Sequence, residues 1–119
     1  MSQAIDLVLE DEKGEIIDQC FDVGGHFALA IKIADISNTV CLQVIDPYGD
    51  TVFNHLQVPN LIEELDLLLN SFSGEGSAET FPGQDETSIA RIIQQISNFI
   101  QFANQAIGKN HTYLKFLGD

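Results

Sequence analysis

The stretch from Ile45 to Phe72 constrains the fold most. It holds the clearest turn in the chain and the passage from alternating to helical patterning. In Asp46-Pro47-Tyr48-Gly49, proline pre-sets φ at the second turn position and Asp46 can accept from the turn amides. Gly49 is expected to supply any positive φ at the exit. Alternating apolar runs flank this turn, Val40 to Ile45 and Thr51 to Leu56, which predicts a hairpin. Pro59-Asn60-Leu61-Ile62-Glu63 then predicts a helix start, with Asn60 as N-cap and Glu63 reaching back as in a capping box. Glu63, Glu64 and Asp66 fall in the first turns of that helix, where its dipole favours negative charge.

On either side of this stretch the patterning is simpler. Ile5, Leu7 and Leu9 alternate with Asp6, Val8 and Glu10 as a first strand, and Asp11-Glu12-Lys13-Gly14 is a charged turn. Ile16 to Phe21 follows as a second strand, and Val23-Gly24-Gly25 would close the next hairpin. Phe27, Leu29, Ile31 and Ile33 alternate with Ala28, Ala30 and Lys32, which predicts a third strand. Asp35 to Thr39 is a turn before the fourth.

After Asn60, the apolar stripe Leu61, Ile62, Leu65, Leu68, Leu69 and Phe72 has the period of an amphipathic helix, with Leu67 on the outside. Ser71 to Gln84 reads as a long loop, its Glu75 and Glu79 solvated. Asp85 or Thr87 caps a second helix whose stripe runs from Ile89 to Ile107, ending at Gly108 in the C-prime position. Its outer face is almost all amide: Gln94, Gln95, Asn98, Gln101, Asn104 and Gln105. His111 to Leu117 alternates as a sixth strand. The expectation is a single α+β domain over residues 1–119. An antiparallel β-meander of five to six strands carries two amphipathic helices on one face.

With 18 acidic residues against 5 basic ones, the formal charge is −13. Such a surface repels nucleic acid and anionic membrane and suits basic protein surfaces. It also serves solubility. Cys20 and Cys41 show no C-x-x-C spacing, so two reduced, buried thiols are expected rather than a disulfide. No basic, signal-like segment opens the chain and no apolar run is long enough to span a membrane. A soluble, cytoplasmic protein is expected.

Candidate chemistry is sparse. His26, His55 and His111 have no H-x-x-x-H or H-E-x-x-H partner, so no local metal motif exists. If the two strands flanking Asp46-Pro47-Tyr48-Gly49 pair, His55 falls across from Cys41; if the second and third strands pair around Gly24, Cys20 falls across from a residue near Ala30 rather than from His26. A nucleophilic Cys-His pair there would still lack a third, orienting group. Asp46 and Asp50, and the cluster Glu10, Asp11, Glu12 and Glu15, match no calcium-binding loop. Gly24-Gly25 matches no dinucleotide fingerprint.

These residues assign no catalytic, cofactor or metal site. The leading expectation is a non-enzymatic protein-binding module, an immunity- or antitoxin-like neutraliser or an accessory subunit, whose partner carries basic surface. The alternatives are a small enzyme or ligand carrier, with a pocket between sheet and helices that uses His55, Cys41 or Asp46, and a self-associating homodimeric structural protein. The homodimer would bury the amide face or a sheet edge.

Overall fold

Alternation in the first residues does produce a hairpin. β1 (Asp6–Asp11) and β2 (Ile16–Cys20) pair antiparallel through a turn at Gly14, whose φ of +81° requires glycine. A computed structural model describes residues 3–74, 81 and 83–118. Its other described elements are α1 (His26–Ile33), β3 (Asp50–Asn54), α2 (Val58–Ser73), α3 (Glu86–Ala103) and β4 (Thr112–Leu117). The fold is α+β, with a four-stranded antiparallel sheet in the order β2-β1-β4-β3. The last strand is therefore central, between β1 and β3. No helix among the described residues is long and apolar enough to cross a membrane.

Two expected strands are absent, and a third helix takes the place of one. Residues 27–33 form α1. Their alternation also satisfies a helical stripe, because His26–Ile33 is apolar nearly all round. The decision is made upstream. Gly24 and Gly25 both take positive φ (+69° and +71°), which turns the chain away from the β1–β2 sheet. The Asp22 carboxylate then accepts from the N–H groups of Phe27 (2.7 Å) and Ala28 (3.0 Å) at the new helix start, and from Ile5 N–H (3.0 Å) ahead of β1. Asp22 is only 4% exposed. Gln95 of α3, also buried, clamps the same bend: its Oε1 accepts from Val23 N–H and its Nε2 donates to Phe21 O.

Residues 40–45 form no strand either. Leu42–Val44 is a single 3-10 turn, so no meander exists and Asp46-Pro47-Tyr48-Gly49 joins that turn to β3 rather than two paired strands. The holding group is Glu64 on α2, whose carboxylate accepts from Val40, Cys41 and Leu42 N–H at 2.9, 2.9 and 3.0 Å. Glu64 was expected to serve the dipole of its own helix; it caps another segment instead. The Asn60–Glu63 capping box is likewise absent, since α2 starts at Val58 with Pro59 in its first turn and Gln57 before it.

The Asp46 turn itself is present, with Tyr48 N–H on Asp46 Oδ1 and Gly49 N–H on Asp46 O. Gly49 takes no positive φ; a Cβ there would lie 2.8 Å from Asp46 Oδ2, so a larger residue would push the Asp46 carboxylate aside.

The helices pack on one face of the sheet. Leu61, Leu65, Leu68 and Phe72 of α2 and Ile89, Ile92, Ile96, Phe99 and Phe102 of α3 are buried, while Leu67 is exposed as its position predicts. Asp85 caps α3, accepting from Ser88 N–H at 2.8 Å. The helix ends at Ala103, and Ile107 lies outside the stripe on the surface. Phe116 on β4 is the hub of the core, with ring centroids 5.6 Å from Phe27, 5.9 Å from Phe53 and 6.1 Å from Phe99. The 71–84 segment is helical through Ser73, and Phe81 stacks on Phe72 at 4.4 Å. Glu75 and Glu79 lie outside the described residues.

Replacing either buried carboxylate leaves a donor facing a donor. Glu64→Gln and Asp22→Asn should each lower unfolding free energy by about 1–3 kcal/mol in urea titrations; a loss below about 0.5 kcal/mol at both would contradict these roles. Asp22 also carries a pH signature. Burial raises its carboxyl above the usual aspartate range, with the Asp6 charge adding to the shift and the Phe27, Ile5 and Ala28 N–H groups opposing it. A raised folded value means the stability linked to this proton is complete below the unfolded value and is lost as pH rises through the folded one. The advantage of wild type over Asp22→Asn should therefore be larger near about pH 3 than near about pH 7.

Candidate functional site

Antiparallel sheets commonly bury one face and leave the other to solvent. Here Leu7, Leu9, Phe53, Leu114 and Phe116 face the helices, and the alternate residues make the other face. The register arranges those alternates in three rows across the strands. One row is Asp6, Leu117 and Asp50; the middle row is Gln19, Val8, Lys115 and Val52; the third is Ile16, Glu10, Tyr113 and Asn54. No helix among the described residues covers this face.

Lys115 stands at its centre and is the one cation in the three rows. Its Nζ lies 3.7 Å from Glu10 Oε2 and 3.6 Å from Asp50 Oδ2, spanning three strands. Val8, although on the open face, is only 1% exposed; its row neighbours are Gln19 and Lys115, whose long stems cover apolar surface. Val52 is 52% and Ile16 56% exposed. A bulge between Leu9 and Glu10 leaves Ile17 without a partner on β1, and Ile17 is exposed too. The β2 edge beside it is blunted, because Asp18 takes the Gln19 N–H on its own Oδ1 at 2.9 Å and Gln105 Nε2 on its Oδ2 at 3.2 Å. Glu10 and Asp50 outnumber Lys115 on this face and leave it acidic, with apolar residues between the charges, while Asp6 Oδ1 accepts from Asp22 N–H at 2.8 Å.

The candidate residues from sequence do not converge. Cys41 is buried beside α2, its Sγ 3.9 Å from Asn60 Nδ2, and the register that set His55 across from it disappears with the missing strand. His55 sits half-buried in the turn after β3. Cys20 pairs with Leu7 on β1, not with a residue near Ala30, and both thiols are free. Burial pushes the Cys20 thiol up, helped by the charges of Asp18, Asp22 and Asp6. Burial also raises Cys41, with the Glu64 charge adding and the Asn60 amide opposing.

Nor do the remaining titratable groups gather into a centre. His111, at a φ of +65°, places Nδ1 3.2 Å from Glu12 Oε2 at the exposed hairpin end, where Asp11 Oδ1 accepts the N–H groups of Lys13 and Glu15. Asp46 is engaged in its turn and Asp50 with Lys115. No group of three or more His, Cys, Asp and Glu side chains among the described residues is placed to hold a metal ion.

Sequence reasoning did not find Lys115, Tyr113 and Leu117 as surface partners of Glu10 and Asp50. The alternation of Thr112 to Leu117 carried the strand, but only the sheet order puts it beside β1.

Thiols with raised pKa values hold little thiolate at neutral pH, so alkylation reads their environment directly. At about pH 7.5 both cysteines should react with iodoacetamide more slowly than free cysteine, Cys41 more slowly than Cys20. A rate above free cysteine at either position would reopen nucleophilic chemistry. Comparison of the chain with protein-family models, with curated proteins and with solved structures gives no match.

Proposed function

We propose that the chain is a non-enzymatic protein-binding module that docks a basic protein surface on the uncovered face of its sheet. The observation that carries this reading is the composition of that face: Val52, Ile16, Tyr113 and Leu117 interleaved with Glu10 and Asp50. Protein interfaces combine an apolar centre with a polar rim, and complementary charge sets approach rate and register. A basic partner gains from the local carboxylates and from the −13 field behind them. A second copy of the chain would oppose acid to acid across the same face, which disfavours self-association there. Asp22 and Glu64 are buried and committed to backbone N–H groups, and Asp6 Oδ1 holds the Asp22 N–H, so Glu10 and Asp50 carry the local charge of the docking face. The role of a neutraliser that covers a basic target, or of an accessory subunit to one, fits this surface.

Affinity capture from the native lysate, compared at about 0.05 M and about 0.5 M salt, tests the charge dependence. Capture with a Glu10→Lys/Asp50→Lys variant tests the location. A Glu63→Lys/Asp66→Lys variant, altered on exposed α2 positions, is the control. The expected result is a basic protein held at low salt, released at high salt, lost to the sheet-face variant and kept by the α2 control. Retention by the sheet-face variant, or binding indifferent to salt, would overturn the proposal.

A further inference from the structure

The sheet has two outer edges, and the chain treats them differently. At the β2 edge a bulge interrupts the ladder and the Asp18 carboxylate takes the Gln19 N–H, two devices that discourage a further strand. The β3 edge carries neither. Its register with β4 runs unbroken from Asp50 to Asn54, and those residues include no proline and no lysine.

The ladder fixes which backbone groups of β3 look outward. Gly118 N–H donates to Gly49 O, so these two residues form a bonded pair. Alternation then makes Thr51–Phe116 and Phe53–Leu114 bonded pairs and turns the N–H and C=O groups of Asp50, Val52 and Asn54 away from β4. Asn54 is already served at this edge, its N–H donating to Gln57 Oε1 and its O accepting from Gln57 N–H. Among the described residues, no hydrogen bond meets the outward N–H and C=O of Asp50 or Val52.

The residues along this edge are self-complementary. Tyr48 and Leu56, at 77% and 76%, are the most exposed large apolar side chains among the described residues. They lie at equal sequence distances on either side of Val52, itself 52% exposed. A two-fold axis at Val52 therefore sets Val52 against the partner's Val52, Asp50 against the partner's Asn54, and Tyr48 against the partner's Leu56. No acid meets an acid in that register. Asn54 keeps its Nδ2 amide for the facing carboxylate, because its Oδ1 is the atom that accepts from Leu56 and Gln57 N–H. The two Asp50 residues would stand about 13 Å apart along the strands, beyond the roughly 8 Å screening length at physiological salt.

We propose that β3 pairs antiparallel with β3 of a second copy about a two-fold axis at Val52, joining the two sheets into one. The two Val52 residues exchange their N–H and C=O bonds, and each Asp50 N–H reaches the second lone pair of the partner's Asn54 O. Backbone bonds supply the pairing, as in other strand additions, and the apolar pairs at its centre and ends give the register. A contact along one short strand is small, so the dimer is reversible, with a Kd of about 10–100 μM. The pairing leaves the open sheet face uncovered and is independent of any docking there.

The test is sedimentation equilibrium of the full chain from about 5 μM to about 1 mM protein at about 0.15 M salt. The expected result is a mass that rises with concentration from one copy to two. Val52→Lys places like charges together at the axis and should raise Kd more than about tenfold. Ile17→Lys, at the exposed β2 edge, should leave Kd unchanged. Asn54→Asp keeps an acceptor for Leu56 and Gln57 N–H but sets acid against acid, and should weaken pairing about tenfold. Adding Asp50→Asn to it should restore the dimer, because the facing pair is then one acid and one amide again. Circular dichroism checks that each variant keeps the wild-type fold. A monomer mass throughout would overturn the proposal and leave the edge to a strand from another protein. A dimer indifferent to Val52→Lys, a dimer lost to Ile17→Lys, or no recovery in Asp50→Asn/Asn54→Asp would overturn it as well.

Discussion

Two buried carboxylates, each accepting three backbone N–H groups, are what the rest of this structure depends on. Asp22 ties the start of α1 to the residue before β1, and Glu64 ties residues 40–42 to α2. An unpaired buried carboxylate is costly, and an unpaired buried amide is costly too. Each group here offsets part of the cost of the other through charge-assisted hydrogen bonds, which are stronger than neutral ones. At Asp22 burial still outweighs them, and the carboxyl stays above the usual aspartate range. Gln95 does the same work without charge, using both ends of its amide on the 21–23 bend. These bonds span 5 to 74 positions in sequence, and they act where the chain leaves the sheet for the helical layer.

The consequence is a sheet with few strands and a bare face. Because residues 27–33 and 40–45 are held on the helical side, only β1, β2, β3 and β4 remain to pair, and β4 enters between β1 and β3. Phe116 on one side of β4 then reaches Phe27, Phe53 and Phe99, while Lys115 on the other reaches Glu10 and Asp50. One strand thus centres both the core and the candidate docking face. Charge does not divide along these layers, because α2 carries exposed Glu63 and Asp66 on the helical side.

What could be read from sequence followed from local rules. The β1–β2 turn at Gly14, the stripes of α2 and α3, the Asp85 cap and the exposed Leu67 each follow from spacing within a single element. Phe27 to Ile33 could not be settled that way, because a segment apolar on nearly every side, with Lys32 its one charged residue, satisfies periods of both 2 and 3.6. Gly24-Gly25 alone predicts a hairpin turn; the same glycines start a helix once the Asp22 carboxylate accepts from Phe27 and Ala28 N–H. Glu64 looked like an ordinary dipole residue because its partners lie 22 to 24 positions upstream. The candidate face was legible only in halves, Glu10 as part of a turn and Lys115 as a strand residue, since the strand order that joins them is non-local.

The most direct test of this account is amide hydrogen exchange at Val40, Cys41 and Leu42 in the wild-type protein. Val40 is 70% exposed, and the donor bond it makes is to Glu64, so burial alone gives its amide little protection. The account predicts that all three amides exchange together, about a thousandfold or more slower than in an unstructured chain. Exchange at Val40 and Cys41 within about tenfold of the unstructured rate would contradict it. The buried carboxylates would then be passengers of the fold rather than what holds it.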